Sequence, residues 1–119
     1  MCGICGELRF DGLAPEAATL SRMNEKLARR GPDDDGVYVS GAMGFGHRRL
    51  SVIDLSDRSH QPMVDEELGL SLVFNGAIYN YQALRAELMD AGYHFFSEGD
   101  TEVILKAFHH WGERCVERL

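Results

Sequence analysis

Cys2 stands directly behind the initiator methionine. Removal of Met1 would leave a cysteine with a free α-amino group. An α-amine has a reference pKa of about 7.7–8.0 and a thiol about 8.5, so the amine can take a proton near neutral pH beside the sulfur that must lose one. One residue would then supply both nucleophile and base. The plainer reading of Cys2 is a buried cysteine near a terminus. A third reading takes Cys2-x-x-Cys5 as half a zinc site or a redox pair. A closed zinc site needs about four ligands. There is no second cysteine pair, and Cys115 and His109-His110 do not supply matching spacing.

Three other positions could serve such a nucleophile. Asn75-Gly76 follows an apolar run. The pair is a strong hairpin-turn signal, yet a side-chain amide and an unhindered backbone N–H could also converge on a developing oxyanion. Arg49 is either a surface arginine of a strand or a bidentate clamp on a carboxylate. Asp100 is either a helix N-cap or the partner of a substrate ammonium group.

The elements that must position these residues follow from periodicity. Ile4, Leu8 and Phe10 fall at even spacing, so 4–10 is predicted as a half-buried strand. Pro15 and Glu16 suit a helix start, and Leu20, Met23 and Leu27 carry that helix over 15–29. Residues 29–36, Arg29 through Gly36, are expected to form a loop. Strands are expected at 37–40 and 43–54 with a turn at Gly41, then an irregular polar stretch over 55–67. A short apolar strand is expected at 70–74 and another at 93–96. Asn80 can cap a helix over 81–91 that Gly92 ends. Asp100 can cap a second helix, with Val103, Ile104, Ala107, Phe108 and Trp111 on its apolar side.

Composition narrows the class. The 119 residues suit one domain. A hydrophobic fraction of 45% with 26% charged residues is that of a globular chain. The net charge of −7 argues against binding a phosphate backbone, so no nucleic-acid partner is expected. No segment has the roughly 18 apolar residues of a membrane helix, and Glu7, Arg9 and Asp11 interrupt any signal peptide. No membrane partner is expected. The default location is the cytoplasm, with reduced thiols.

Taken together, the motifs are more specific than any one of them. Met1-Cys2-Gly3-Ile4-Cys5-Gly6 opens the chain. Arg30-Gly31-Pro32-Asp33, Gly46-His47-Arg48-Arg49-Leu50-Ser51 and Gln61-Pro62-Met63 follow. Phe74-Asn75-Gly76-Ala77-Ile78-Tyr79-Asn80 and Gly99-Asp100-Thr101-Glu102-Val103 complete the series. In this order and with these gaps, residues 2–111 resemble the glutaminase domain of asparagine synthetase-like class II amidotransferases. The run around 72–104 resembles the branch that makes the amide of N-acetylglutaminylglutamine.

The resemblance implies an α+β fold, the four-layer αββα sandwich of the N-terminal-nucleophile hydrolases. The last strands of that sandwich and an ATP-dependent synthetase domain are expected to lie outside residues 1–119. It implies that Cys2 attacks the side-chain amide of glutamine and that Asn75 and Gly76 hold the oxyanion. Arg49 would bind the substrate α-carboxylate, and Asp100 the α-amino group. No metal or organic cofactor is implied for glutamine hydrolysis; ATP and magnesium would serve the synthetase half. The implied partners are glutamine and the synthetase domain of the same chain, and a homodimer is left open. One position departs from the family: Ala77 stands where a glutamate usually follows Asn-Gly. That departure keeps open a rival expectation, a non-catalytic scaffold of the same fold that binds glutamine or a partner, against which the intact Cys2, Asn75 and Gly76 argue.

Overall fold

The computed structural model describes residues 1–51 and 55–119 of an α+β chain. Among the described residues, three α-helices and two small antiparallel sheets are divided between two units, each with its own packing. The first unit holds the N-terminal part of the chain with His60–Pro62 and Val73–Asn75; the second holds Met63–Leu72 and Gly76–Leu119.

In the first unit, β1 (Gly3–Leu8), β2 (Asp34–Ser40) and β3 (Met43–Arg49) form a sheet of order β1-β3-β2. Gly3 lies opposite Arg48 and Leu8 opposite Met43; Asp34 lies opposite Arg49. The β2–β3 turn contains Gly41 at φ 55°, a conformation that favours glycine. Alternation along β3 turns Gly44, Gly46 and Arg48 toward helix α1 (Ala17–Lys26), and Phe45, His47 and Arg49 to the opposite face. Leu20 of α1 packs over Gly44, where a Cβ would lie 2.4 Å from its Cδ1. Buried Asn24 ties the helix to the sheet, its Nδ2 donating to the carbonyls of His47 (3.1 Å) and Gly36 (3.3 Å).

In the second unit, β4 (Met63–Asp65) and β5 (Leu70–Leu72) form a hairpin. Its loop is closed by the Leu68 N–H donating to Asp65 Oδ1 and by Gly69 at φ 66°. Helices α2 (Tyr81–Asp90) and α3 (Asp100–Trp111) enclose a core of Leu84, Leu88, Val103, Ala107 and Cys115. Ile78, Tyr81, Tyr93, Phe95 and Trp111 pack around it. A 3₁₀ segment, Gly112–Glu117, follows.

Several expectations are corrected. The first strand stops at Leu8, leaving Phe10 exposed, and the first helix is confined to Ala17–Lys26. The strand expected over 43–54 ends at Arg49, and residues 52–54 lie outside the described residues. The 55–67 stretch is not irregular throughout, because Met63–Asp65 is a strand whose partner, expected over 70–74, ends at Leu72. No strand forms at 93–96: the N–H groups of Phe96 and Ser97 donate to the Glu102 carboxylate, which replaces a strand neighbour. Asp100 is not the N-cap of α3. Gly99 holds that place and Asp100 is the first helical residue. Asn80 stands at the N-cap of α2 without a side-chain capping bond; its amide donates to the Arg118 carbonyl instead. Phe108 is substantially exposed, whereas Lys106 is buried.

Candidate functional site

Cys2 lies just ahead of β1, at the end of the sheet where β3 finishes. Its sulfur accepts the Leu50 N–H at 3.3 Å and lies 3.6 Å from the Leu50 carbonyl. Its own carbonyl accepts from Arg30 Nε at 3.2 Å. The thiol is thereby anchored one residue beyond Arg49. Met1 is exposed.

Cys5 belongs to other chemistry. It faces α1, with its sulfur 4.0 Å from the Leu20 carbonyl, and burial pushes its thiol pKa up, only partly offset by the Gly46 backbone. An odd separation along an extended chain sends Cys2 and Cys5 to opposite faces. The paired-cysteine reading is therefore overturned. Among the described residues, no group of three or more His, Cys, Asp and Glu side chains could hold a metal ion.

Arg49 is the last residue of β3 and is only 7% exposed, which overturns the surface-arginine reading. Its carbonyl accepts the Asp33 N–H at 3.1 Å, which holds the Arg30–Asp33 loop against the strand end. Gly31 is required for this approach: a Cβ there would lie 2.4–2.6 Å from the Arg48–Arg49 backbone. Asp33 Oδ2 in turn accepts the Ser51 N–H at 2.8 Å. A buried guanidinium is the side chain suited to a carboxylate ligand, because its planar fork can make two parallel hydrogen bonds.

Asn75 is half-buried and also belongs to the first unit. The hairpin reading of Asn75-Gly76 fails, since neither residue has the positive φ that a type I′ turn demands and no strand follows. The residue before Asn75 is held from two sides. The Phe74 N–H donates to Gln61 Oε1 at 2.6 Å, and the Phe74 carbonyl lies 3.2 Å from His47 Nε2.

Gly76, Ala77 and Asp100 belong to the second unit. Gly76 and Ala77 are exposed. Asp100 is 5% exposed, and its Oδ2 accepts the Ile78 N–H at 2.9 Å. This bond ties the start of α3 to the segment that carries Ala77.

A buried polar cluster that periodicity does not reveal supports Asp100. Glu102, fully buried, accepts from the Phe96 N–H, the Ser97 N–H and hydroxyl, and Lys106 Nζ (2.7 Å). Lys106 also donates to Asp65 Oδ2 at 3.1 Å. Asp65 has its pKa lowered: desolvation opposes the shift, but the Leu68 N–H and Lys106 outweigh it. Arg85 donates to the carbonyls of Ser97 and Gly99, completing the support of the loop before Asp100. The signal in the sequence was the Glu102–Lys106 pair at i,i+4, a pattern that ordinarily marks a solvated face.

Comparison with known proteins places the chain. Residues 1–119 match the family described as the glutamine amidotransferase domain, and the chain belongs to that family. It is 40% identical over 122 residues to asparagine synthetase (glutamine-hydrolyzing) 1 of Bacillus subtilis (strain 168), covering 100% of this chain and 19% of that protein. It is likewise 40% identical to asparagine synthetase (glutamine-hydrolyzing) 3 of the same organism, covering 100% of this chain and 20% of that protein. The fungal amidase chry2 of Gibberella zeae is 38% identical over 95 residues, covering 78% of this chain and 14% of that protein. The chain spans about a fifth of the length of the two asparagine synthetases.

Proposed function

We propose that this chain is the glutamine-hydrolysing part of an asparagine synthetase-like amidotransferase. The observation that carries the proposal is the anchoring of Cys2 beside buried Arg49 at the end of β3, in a chain of the glutamine amidotransferase domain family.

Once Met1 is removed, the α-amine of Cys2 takes the thiol proton. The sulfur attacks the amide carbon of glutamine, and the carbonyl oxygen becomes an oxyanion held by the Asn75 amide and the Gly76 N–H. Such donors strengthen as charge develops, so they lower the barrier rather than only binding substrate. The tetrahedral species collapses as the ammonium of Cys2 returns its proton to the leaving nitrogen, and ammonia departs. Water then attacks the thioester with the amine as base, releasing glutamate and restoring the thiol. Arg49 holds the substrate carboxylate and Asp100 its ammonium.

The ammonia would pass to a synthetase domain of the same protein, for which ATP and magnesium would be required. Residues 1–119 are the N-terminal portion of a four-layer αββα sandwich. The protein works in the cytoplasm, where the Cys2 thiol stays reduced.

The test combines intact mass with labelling by a glutamine analogue that bears an electrophile. Loss of Met1 and one label on Cys2, blocked by excess glutamine, supports the proposal. A folded protein with Cys2 exposed at its terminus that neither takes the label nor hydrolyses glutamine would establish the scaffold alternative.

A further inference from the structure

We propose that His47 and Gln61 are positioning residues that aim the oxyanion-holding amide of Asn75 by clamping both peptide groups of Phe74. This inference rests on the oxyanion role proposed for Asn75.

The geometry is specific. The carbonyl of Phe74 and the N–H of Asn75 belong to one planar peptide group. A bond from His47 Nε2 to that carbonyl therefore fixes where the Asn75 backbone points. The N–H of Phe74 belongs to the preceding peptide group, and Gln61 Oε1 accepts it at 2.6 Å. With both planes held, the two soft dihedrals of Phe74 are set and Asn75 inherits a defined origin for its side chain. Regular structure does not supply this restraint, because β5 ends at Leu72 and α2 begins only at Tyr81.

His47 is committed to that one bond. To donate to a carbonyl, Nε2 must carry the ring proton, which leaves Nδ1 as a bare acceptor. Nδ1 is buried and has no partner among the described residues. A buried acceptor without a donor is destabilising, so a residue present only to fill space would be better apolar. The imidazole is explained by what its other nitrogen holds. Burial is the main cause that lowers its pKa and keeps the ring neutral; the Arg49 charge adds to it, while the Phe74 carbonyl opposes it.

The test is glutamine hydrolysis by the intact protein and its variants, with folding checked by circular dichroism. His47→Ala is expected to lower kcat by about tenfold to a hundredfold, less than the roughly 10²–10³ that outright removal of an oxyanion-hole donor costs. The KM for glutamine should stay within about twofold, because the lost contact acts on the transition state. His47→Gln retains an N–H donor and should recover most of the loss. In an Asn75→Ala background, His47→Ala should cost less than about threefold more, since residues acting as a unit are not additive. Gln61→Met, on a different segment, carries the same kcat-only expectation and serves where His47→Ala does not fold. An aldehyde analogue that forms a tetrahedral adduct with Cys2 should bind more weakly to these variants while glutamate binds as before. If Asn75→Ala itself leaves kcat unchanged, the oxyanion reading falls and this inference with it. If Asn75→Ala lowers kcat but folded His47→Ala or Gln61→Met does not, the positioning inference alone is overturned.

Discussion

The backbone N–H of Leu50 lies 3.3 Å from the sulfur of Cys2. The residue that carries the thiol is thus joined to the residue that follows Arg49, although 48 positions separate them in sequence. Sheet register causes this. Gly3 lies opposite Arg48, so the residue before β1 falls beside the residues that leave β3.

The first prediction follows from the terminus. In the proposed mechanism the base is the α-amine of Cys2 itself, so a variant that retains any residue ahead of Cys2 should lose glutaminase activity while keeping its fold. Intact mass identifies the terminus, and glutamate release measures turnover. Normal turnover with Met1 in place would sink the mechanism.

Arg49→Lys keeps the charge but loses the fork that can grip a carboxylate through two bonds. The KM for glutamine should rise at least about tenfold, on the order of 1.4 kcal/mol of binding. The thiol should still react with a small alkylating agent that lacks a carboxylate. An unchanged KM would mean that Arg49 serves the strand end alone.

His47 gives stability a dependence on acid. Burial lowers its folded-state pKa below the ordinary 6.5, so the unfolded chain takes up this proton first as pH falls. The contribution of the neutral ring is complete above about pH 6.5. It declines as pH drops toward the lower folded-state value, with a slope of at most about 1.4 kcal/mol per pH unit, and then levels off. Urea midpoints measured between neutral and acidic pH should show this slope in the wild type. They should show it reduced in His47→Gln.

Glu102→Ala should be among the most destabilising single changes in the second unit. It strips Phe96, Ser97 and Lys106 of a shared buried acceptor, and breaking such a cluster costs about 3–5 kcal/mol. Thermal unfolding monitored by circular dichroism measures the loss. A change in stability below about 1 kcal/mol, ordinary for a surface position, would show that the cluster is wet.

Much of this was legible in the sequence because it rests on local rules. Even spacing marked β1, Gly41 the β2–β3 turn, and Gly92 the end of α2 at φ 99°. The misses share a cause, competition from side chains for backbone groups. Tyr93–Phe96 has strand-like residues, but Glu102 takes the N–H of Phe96 and that of Ser97 after it; Asp100 has a capping side chain, but Ile78 claims it. The individual positions of Cys2, Arg49, Asn75 and Asp100 were ambiguous until their motifs were taken together. The burial of Arg49 removes one alternative, and the loss of the hairpin at Asn75-Gly76 removes another. The support of Phe74 by His47 and Gln61 was not readable, because it joins three segments through single side chains with no periodic signal.

The last prediction uses the departure at Ala77. Ala77 is exposed, and the next residue, Ile78, donates its N–H to the carboxylate of Asp100. A glutamate at 77 would therefore extend from a backbone already tied to the group proposed to hold the substrate ammonium. Ala77→Glu is expected to tighten glutamine binding by no more than about 3 kcal/mol, the upper value for a hydrogen bond to a charged group. The kcat should change much less, because the ammonium lies far from the bond being broken and its contact is similar in ground and transition states. If the pocket has instead reshaped around alanine, the new carboxylate would repel Asp100 and affinity would fall. Titrating glutamine into Cys2→Ala protein, with and without Ala77→Glu, separates these outcomes without turnover. Weaker binding with glutamate at 77 would mean that another group already fills that role beside Asp100. Absence of binding in both proteins, each shown to be folded, would remove glutamine as the ligand.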